Sequence, residues 1–265
     1  TLTAKLISRT IATGFSRIQF TPDLMPSDVV GASVWNAQTS AFDFKAGPVF
    51  SNMILLDEIN RAPAKTQSAL FEVMEELQVT VDGVTRPLEK PFMVIATQNP
   101  IEHEGTYRLP EAQLDRFLFK IYADYPSLEE EARMLTESDA RRDVREQDVV
   151  DAVIPAERIV TYQQTVKMVH VEPRLIEYIA ALVQQTRTYN ALYLGASPRA
   201  SLAIMNGAKA IAAMRGRDFV APDDIQEIAY PALRHRILLT PEREMEGVLP
   251  DDVIKQILEL IEVPR

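Results

Sequence analysis

Residues 53–58 read Met53-Ile-Leu-Leu-Asp-Glu58, four apolar residues followed directly by two acidic ones. An apolar run this short that ends abruptly in acid is typical of a strand buried on both faces of a parallel sheet. Ligands of open α/β sheets bind outside the carboxyl ends of the strands, where Asp57 and Glu58 would lie. Two carboxylates there can divide the work of nucleotide hydrolysis, with Asp57 holding Mg²⁺ through its water shell and Glu58 orienting or deprotonating the attacking water. The alternative is a strand that simply ends where water solvates its acidic residues.

The composition is that of an ordinary globular chain without disulfides. Apolar residues make up 46 % and charged residues 25 % of the 265 positions, and no apolar run reaches the roughly 18 residues of a membrane span. The absence of cysteine excludes disulfides, thiolate catalysis and cysteine-ligated zinc, and we expect a cytoplasmic location. The formal net charge of −10 disfavours a nucleic-acid partner. Because Thr1 already lies in a predicted helix, we expect further residues before it.

Residues 1–126 alternate strands with helices, which predicts a parallel sheet covered by helices on both faces. Two segments lie outside this alternation. The stretch 29–50, rich in small, aromatic and turn residues, predicts an inserted hairpin, and the Asp82-Gly83 pair predicts a tight turn between two short strands. The predicted strands of the sheet are 16–20, 53–57, 92–96 and 117–122.

The pattern changes after Pro126. Residues 127–154 carry a dense set of charges and predict a solvated helix followed by a linker. Residues 155–265 show only helical periodicity, with Pro173, Pro198 and Pro222 near predicted helix starts. The sequence therefore predicts an α/β domain at 1–126, a charged helix and linker at 127–154, and an all-helical domain at 155–265.

Asn99 and Thr1 stand at positions where a nucleotide site needs polar groups. Asn99 follows the strand 92–96, whose carboxyl end can lie beside Asp57 and Glu58, so its amide would reach a γ-phosphate or the attacking water. The alternative for Asn99 is a loop turn, because Pro follows it. Thr1 stands where the Mg²⁺-binding hydroxyl stands at the end of a phosphate-binding loop, directly before a helix, and its alternative is a simple helix cap.

Two arginines are candidates for contacts with phosphate. Arg116 lies immediately before the strand 117–122, and a guanidinium there would reach the γ-phosphate of a neighbouring subunit as an arginine finger. The alternative for Arg116 is an ion pair with Asp115 or Glu111 of the same chain. Arg199 lies in the first turn of a predicted helix, the end that attracts anions and repels cations. That unfavourable placement is typical of a functional residue, although the stem of Arg199 covering apolar surface is an alternative.

Together these segments resemble the AAA+ ATPases and, among them, the MoxR family. The resemblance implies a P-loop α/β core with a parallel sheet, followed by an all-helical lid, with the first strand and the P-loop glycines and lysine absent from these 265 residues. The most specific stretches of the match are Leu56-Asp-Glu-Ile-Asn-Arg-Ala-Pro-Ala-Lys65, Ala96-Thr-Gln-Asn-Pro100, Glu104-Gly-Thr-Tyr107 and Leu109-Pro-Glu-Ala-Gln-Leu-Asp-Arg-Phe117, together with 18–28 and 47–52.

The resemblance assigns a role to each candidate residue. Asp57 and Glu58 match the acidic pair of the Walker B motif, and Thr1 matches the last residue of Walker A. The first sensor corresponds to Asn99, the finger acting in trans to Arg116, and the second sensor to Arg199, which would reach the nucleotide bound by its own subunit. The implied catalytic residues are Glu58, Asn99, Arg116 and Arg199, the implied ligands of ATP are Thr1, Asp57, Asn99 and Arg199, and the implied ligands of Mg²⁺ are Thr1 and Asp57. Arg61 and Arg108 lie near the same edge and are further candidates for the finger.

By the same resemblance the protein is an ATPase, converting ATP and water to ADP and phosphate, that remodels protein clients in chaperone-like maturation or metal-cofactor insertion. A ring, expected to be a hexamer, and a client with a von Willebrand factor A-type domain are implied. The two hairpins match segments that handle substrate or line the pore in the family. A non-hydrolysing assembly scaffold of the same fold and a DNA translocase of the same clade stay open as alternatives.

Overall fold

The computed structural model describes residues 2–98, 109–141 and 150–264. Its chain divides into two compact units, the first formed by residues 1–108 and 124–161 and the second by residues 109–123 and 162–265. In chain order the elements up to residue 167 are α1 (Leu2–Thr10), β1 (Ile11–Ala12), β2 (Phe15–Gln19), α2 (Pro26–Val30), β3 (Gly31–Asn36), β4 (Ala41–Ala46), β5 (Met53–Asp57), α3 (Ala64–Glu76), β6 (Gln78–Val81), β7 (Val84–Pro87), β8 (Met93–Ala96), α4 (Glu111–Leu114), α5 (Leu128–Arg141), β9 (Ile154–Pro155) and α6 (Ala156–Lys167).

A three-stranded parallel sheet forms the centre of the first unit, with the strand order β2-β5-β8. The middle strand β5 is buried along its whole length, which explains its unbroken apolar run. Its register places Gln19 beside Asp57 and Ala96 beside Leu56, so the carboxyl ends of all three strands meet at one edge. The parallel sheet and three of its four predicted strands are therefore confirmed.

Both predicted hairpins are present in the first unit. Strands β3 and β4 pair antiparallel over six residues each, and β6 pairs with β7 across a turn at Asp82 and Gly83. Asp82 (φ 53°) and Gly83 (φ 75°) both adopt the left-handed conformation that a tight two-residue hairpin turn requires. The two hairpins contact each other, because the Ser33 hydroxyl donates to the Asp82 carboxylate and the Arg86 guanidinium lies 3.8 Å from the centre of the Phe44 ring.

The segment 117–122 is not a strand, which corrects the fourth predicted strand of the sheet. Its backbone groups are bound by the second unit, since the Lys120 N–H donates to Pro231 O (2.9 Å) and side chains of residues 234–236 donate to its carbonyls. Residues 109–123 thus belong to the helical unit and residues 124–161 to the first. This division differs from the boundaries predicted at 126 and 155, because hydrogen bonds to distant residues outweigh the local strand propensity of 117–122.

The second unit is a helical bundle with its own apolar core. Its helices pack through buried residues spaced three or four apart, as in α8 (Pro198–Met214), where Ala200, Ala203, Ile204 and Ala208 are buried. A two-stranded antiparallel sheet of β10 (Leu192–Leu194) and β11 (Leu238–Leu239) also lies here. The prediction of purely helical structure missed it because its strands are too short to show a period of two. Its elements after residue 167 are α7 (Pro173–Thr186), β10 (Leu192–Leu194), α8 (Pro198–Met214), α9 (Pro222–Leu233), β11 (Leu238–Leu239), α10 (Pro241–Met245) and α11 (Pro250–Leu260).

Of the helices in the described ranges, none combines the length and the apolar character that crossing a membrane requires.

Candidate functional site

Asp57 is the last residue of the middle strand β5, and its carboxylate is hydrogen-bonded by one residue from the chain of each flanking strand. Its Oδ1 accepts a hydrogen bond from the Thr97 hydroxyl (2.6 Å), and its Oδ2 accepts from Nε of Arg17 (3.0 Å) and from the Nη2 atom of the same guanidinium. Thr97 follows β8, and Arg17 lies on β2. Asp57 is only 9 % exposed, so these contacts hold a carboxylate in one orientation at the strand end.

The environment of Asp57 keeps its side chain ionised. Burial raises the pKa of this carboxyl, but the hydrogen bonds from Thr97 and Arg17 and the charge of Arg17 outweigh that effect. The net result is a pKa below the usual value for Asp. At neutral pH the site therefore presents a negative charge whose geometry is fixed by its neighbours.

Glu58 follows Asp57 in a left-handed backbone conformation, with φ 56° and ψ 50°. A non-glycine residue rarely adopts this conformation, and such strain concentrates at functional sites. The Glu58 N–H donates to the Thr97 hydroxyl (3.1 Å), and Oε2 accepts from Gln19 (3.1 Å) and Arg61 (3.0 Å). The side chain is 33 % exposed, so one carboxylate of the pair is buried and the other faces solvent.

The donor set at this edge fits Mg²⁺. Mg²⁺ keeps several of its waters and needs only one or two carboxylates, and Asp57 and Glu58 supply two at the end of β5. Each carboxylate oxygen has two lone pairs. Oδ2 of Asp57 accepts two hydrogen bonds from Arg17, whereas Oδ1 accepts one from Thr97 within the described part of the chain, so Oδ1 is the oxygen that these contacts occupy less.

A second group of polar residues lies in the helical unit around Arg116 and Arg199. Asp115, next to Arg116, accepts a hydrogen bond from the Ser197 hydroxyl (2.8 Å to Oδ2). The same hydroxyl accepts from the backbone N–H of Arg199 (3.1 Å) and so caps the helix α8. Both arginines are exposed. The structure thereby joins the chain segments of two predicted site residues that are 83 positions apart in the sequence.

The structure divides the predicted site residues into four groups. Asp57 and Glu58 lie together at the strand end, and the segments of Arg116 and Arg199 lie together in the second unit. Arg61, a further candidate for the finger, binds Glu58 of its own chain. Thr1, Asn99 and Arg108 lie outside the described residues.

Several polar residues around Asp57 and Glu58 were not among the predicted site residues: Arg17, Gln19 and Thr97. A signal for the first two is present in the sequence, because Arg17 and Gln19 alternate with the buried Ile18 and Phe20 on a strand next to β5. Residues at a period of two share one face of a strand, so Arg17 and Gln19 lie on the same face beside the end of β5. Nothing local marks Thr97, whose role depends on the pairing of β8 with β5.

Comparison with known proteins defines the class. A model of the ATPase family associated with various cellular activities (AAA) matches residues 1–119, and a model of the AAA lid domain matches residues 184–257. The crystal structure of a candidate ATPase from Cytophaga hutchinsonii is similar over the whole chain and 82 % of its own, with a TM-score of 0.91 and 41 % identity. The fold is that of an AAA-type ATPase core with its lid.

Curated relatives narrow the class to a family. Chaperone MoxR1 of Mycobacterium tuberculosis is 42 % identical, with 100 % of this chain and 71 % of the relative covered. Protein MoxR of Methylorubrum extorquens is 26 % identical, with 98 % and 82 % covered, and the uncharacterized protein YeaC of Bacillus subtilis is 46 % identical, with 100 % and 82 % covered. The chain belongs to the MoxR family of AAA+ ATPases.

Proposed function

We propose that this protein hydrolyses ATP to ADP and phosphate and uses the reaction to remodel protein clients. The observation that carries the proposal is the pair of carboxylates at the end of β5, with Asp57 buried and ionised and Glu58 strained and turned to solvent. A buried, held negative charge suits a metal ligand, whereas a partly exposed carboxylate that water can reach suits a group that acts on water. Membership of a family with an ATPase core and chaperone-named relatives supports nucleotide binding and action on proteins.

In this proposal each carboxylate has one task. Asp57 and Thr1 would hold Mg²⁺, which would neutralise charge on the phosphates. Glu58 orients the attacking water and accepts its proton, and Asn99 contacts the γ-phosphate or that water. Gln19 and Arg61 both bind Oε2 of Glu58, so we assign Oε1 to the water. Arg17 acts indirectly, because its guanidinium holds Oδ2 of Asp57 and so fixes the orientation of that carboxylate.

We further propose that Arg116 and Arg199 act on the same nucleotide, the one bound by a neighbouring subunit. Arg116 is assigned there as an arginine finger. The Asp115–Ser197 hydrogen bond ties the segment of Arg116 to the first turn of α8, which carries Arg199. Because the segments that carry the two arginines are joined in this way, we propose that both contact the same nucleotide. This proposal stands in place of the assignment of Arg199 to the nucleotide of its own subunit. A finger acting in trans requires a ring, for which we propose a hexamer.

The β3–β4 hairpin is the proposed contact with the client. Trp35 (54 % exposed) and Phe42 (70 % exposed) face each other across it, with ring centres 5.2 Å apart. Exposed aromatic pairs are a common means of binding protein surfaces. We propose a client with a von Willebrand factor A-type domain, and a cytoplasmic location for the reaction.

The test is ATP hydrolysis by the complete protein, measured against protein concentration, with Glu58→Gln and Arg116→Ala beside the wild type. We expect a specific activity that rises with assembly and falls at least about 100-fold in either variant, with ATP binding retained in Glu58→Gln. Hydrolysis that is absent from the folded, nucleotide-bound wild type, or unchanged by Glu58→Gln, would refute the proposal and favour an assembly scaffold. Hydrolysis that requires DNA would favour a translocase.

A further inference from the structure

The Arg236 side chain is the most completely hydrogen-bonded cation in the described part of the helical unit. It is 3 % exposed, and each of the five N–H groups of a guanidinium has an acceptor. Nε donates to Oδ1 of Asp115 (2.9 Å), Nη2 donates to the backbone carbonyls of Asp115 and Phe117, and Nη1 donates to those of Leu118 (3.0 Å) and Ala232. Four of the five contacts therefore go to residues 115–118.

These contacts surround Arg116. The carbonyl that precedes Arg116 in the chain and the carbonyl of the residue after it both accept from the same Nη2 atom. His235, the neighbour of Arg236, also binds the Phe117 carbonyl through Nε2 (3.0 Å). The backbone that carries Arg116 is thus fixed from both sides by two consecutive residues that follow α9.

The Asp115 carboxylate extends the fixation to Arg199. It accepts from Nε of Arg236 and from the Ser197 hydroxyl, and Ser197 caps the helix on which Arg199 stands. The charge of Arg199 lies near enough to contribute to lowering the pKa of Arg236, after burial, which is the larger cause. One buried guanidinium and one carboxylate therefore link the segments of both exposed arginines.

We propose that Arg236 is a positioning residue for ATP hydrolysis, which sets the placement of Arg116 and Arg199 relative to each other so that both meet one phosphate group. This inference rests on the proposed function. A guanidinium is needed because its planar fork offers five donors in fixed directions, whereas lysine offers three donors from one nitrogen and does not span the four acceptors of residues 115–118. If Arg236 only neutralised the partly buried charge of Asp115, the ion pair between them would suffice, and the hydrogen bonds to the carbonyls of residues 115, 117 and 118 would not be needed.

The test compares Arg236→Lys with the wild type in the complete protein. Because a displacement of about 1 Å in a positioned group costs up to about 100-fold in rate, we expect kcat to fall about 10-fold to 100-fold. Glu58, Asp57 and the nucleotide site of the first unit are untouched, so KM and the binding of a fluorescent ATP analogue should change less than about threefold.

The decisive readout is the same substitution in a background that lacks both arginines, Arg116→Ala with Arg199→Ala. A residue that acts only through Arg116 and Arg199 has no further effect once they are removed, so Arg236→Lys should leave the residual rate of this background unchanged. A general loss of folded protein would instead lower the rate by the same factor in both backgrounds, and that result would overturn the inference, as would a kcat equal to wild type.

Arg217→Lys is the matched control, because Arg217 also binds a buried carboxylate of the helical unit, that of Asp224, but makes no hydrogen bond to residues 115–118 within the described part of the chain. It should leave kcat within about twofold of wild type. If Arg236→Lys fails to fold, Asp115→Ala takes its place. It should lower kcat by the same factor in the wild-type background and have no effect in the background that lacks Arg116 and Arg199. An inactive wild type would refute the proposed function itself, whereas an active wild type that is insensitive to both substitutions would refute only the role of Arg236.

Discussion

At the scale of single residues, Thr97 connects the two carboxylates of the candidate site. Its hydroxyl donates to Asp57 and accepts from the Glu58 N–H, so one oxygen fixes a side chain and a strained backbone together. The Arg17 guanidinium alone would hold only Oδ2 of Asp57. The stability of the strand end and its chemistry therefore depend on the same hydroxyl.

We expect Thr97→Val, which keeps the shape but removes the hydroxyl, to lower the free energy of unfolding by about 1–3 kcal/mol, because a buried carboxylate oxygen loses its donor. The rate of ATP hydrolysis should fall with it. Urea denaturation and steady-state kinetics measure the two effects. Thr97→Ser is the matched control and should keep most of both; equal behaviour of the Val and Ser variants would contradict this role for the hydroxyl.

His235 supplies a second prediction at this scale. Burial, followed by the neighbouring charge of Arg236, lowers its pKa from 6.5 to about 4, and because the Phe117 carbonyl accepts from Nε2, the neutral ring carries its proton there. The unfolded chain takes up this proton near pH 6.5 and the folded one does not. The contribution of the neutral His235 to the free energy of unfolding is therefore fully present above pH 6.5 and is lost as the pH falls toward 4.

From these values we expect the titration of His235 to lower the free energy of unfolding by about 2 kcal/mol when the pH falls from 7.5 to 5. The measurement is urea denaturation at both pH values, for the wild type and for His235→Gln, whose amide can donate to the same carbonyl without titrating. The difference between the two proteins isolates His235 from other groups. The same pH dependence in both would show that His235 titrates normally.

At the scale of elements, the packing of residues 109–123 on α8 depends on one small residue. A Cβ atom on Gly207 would lie 2.7 Å from Cγ2 of Ile228 and 2.9 Å from Cζ of Phe119. Gly207 therefore lets both α9 and the segment of Phe119 approach α8 closely. The same approach brings Asp115 to Ser197 at the start of the helix.

We expect Gly207→Ala to destabilise the protein by about 1–2 kcal/mol, since overpacking exceeds the gain in helix propensity. Asn206→Ala, on the exposed side of the same helix, should be neutral or slightly stabilising. Thermal or urea unfolding measures both. Combining Gly207→Ala with Phe119→Leu should cost less than the sum of the two single effects, because the smaller side chain makes room; strict additivity would mean that Phe119 does not pack there.

At the scale of the whole molecule, a shared target for Arg116 and Arg199 has a consequence for mixed assemblies. An active interface in a ring needs Glu58 on the subunit that binds ATP and any trans-acting arginine on its neighbour. Glu58→Gln and Arg199→Ala proteins are each expected to be inactive alone. Mixed, they form interfaces that combine an intact Glu58 with an intact Arg199 only if Arg199 acts across the interface.

We therefore expect mixing Glu58→Gln with Arg199→Ala protein to restore hydrolysis to about a quarter of the wild-type rate, the fraction of correctly combined interfaces in random rings. Glu58→Gln mixed with Arg116→Ala is the parallel experiment and should recover similarly. Recovery with Arg116→Ala but none with Arg199→Ala would return Arg199 to the nucleotide of its own subunit. The measurement is phosphate release from pre-mixed, reassembled proteins.

The sequence alone determined those features whose signals are local. The apolar run ending in Asp57 and Glu58, the Asp82-Gly83 turn and the helix starts at Pro173, Pro198 and Pro222 are all found as predicted, because strand burial, turn chemistry and helix capping act between near neighbours.

Only the tertiary structure decided where residues 109–123 lie and which groups hold the candidate site. Arg236 follows Asp115 by 121 positions and Asp57 follows Arg17 by 40, so no local pattern signals either contact. The segment 117–122 has the composition of a strand, yet its carbonyls bind Arg236, His235 and Arg234 instead of a sheet. The physical reason is that buried backbone N–H and C=O groups need hydrogen-bond partners. Which partners lie within reach is decided only when the whole chain has folded.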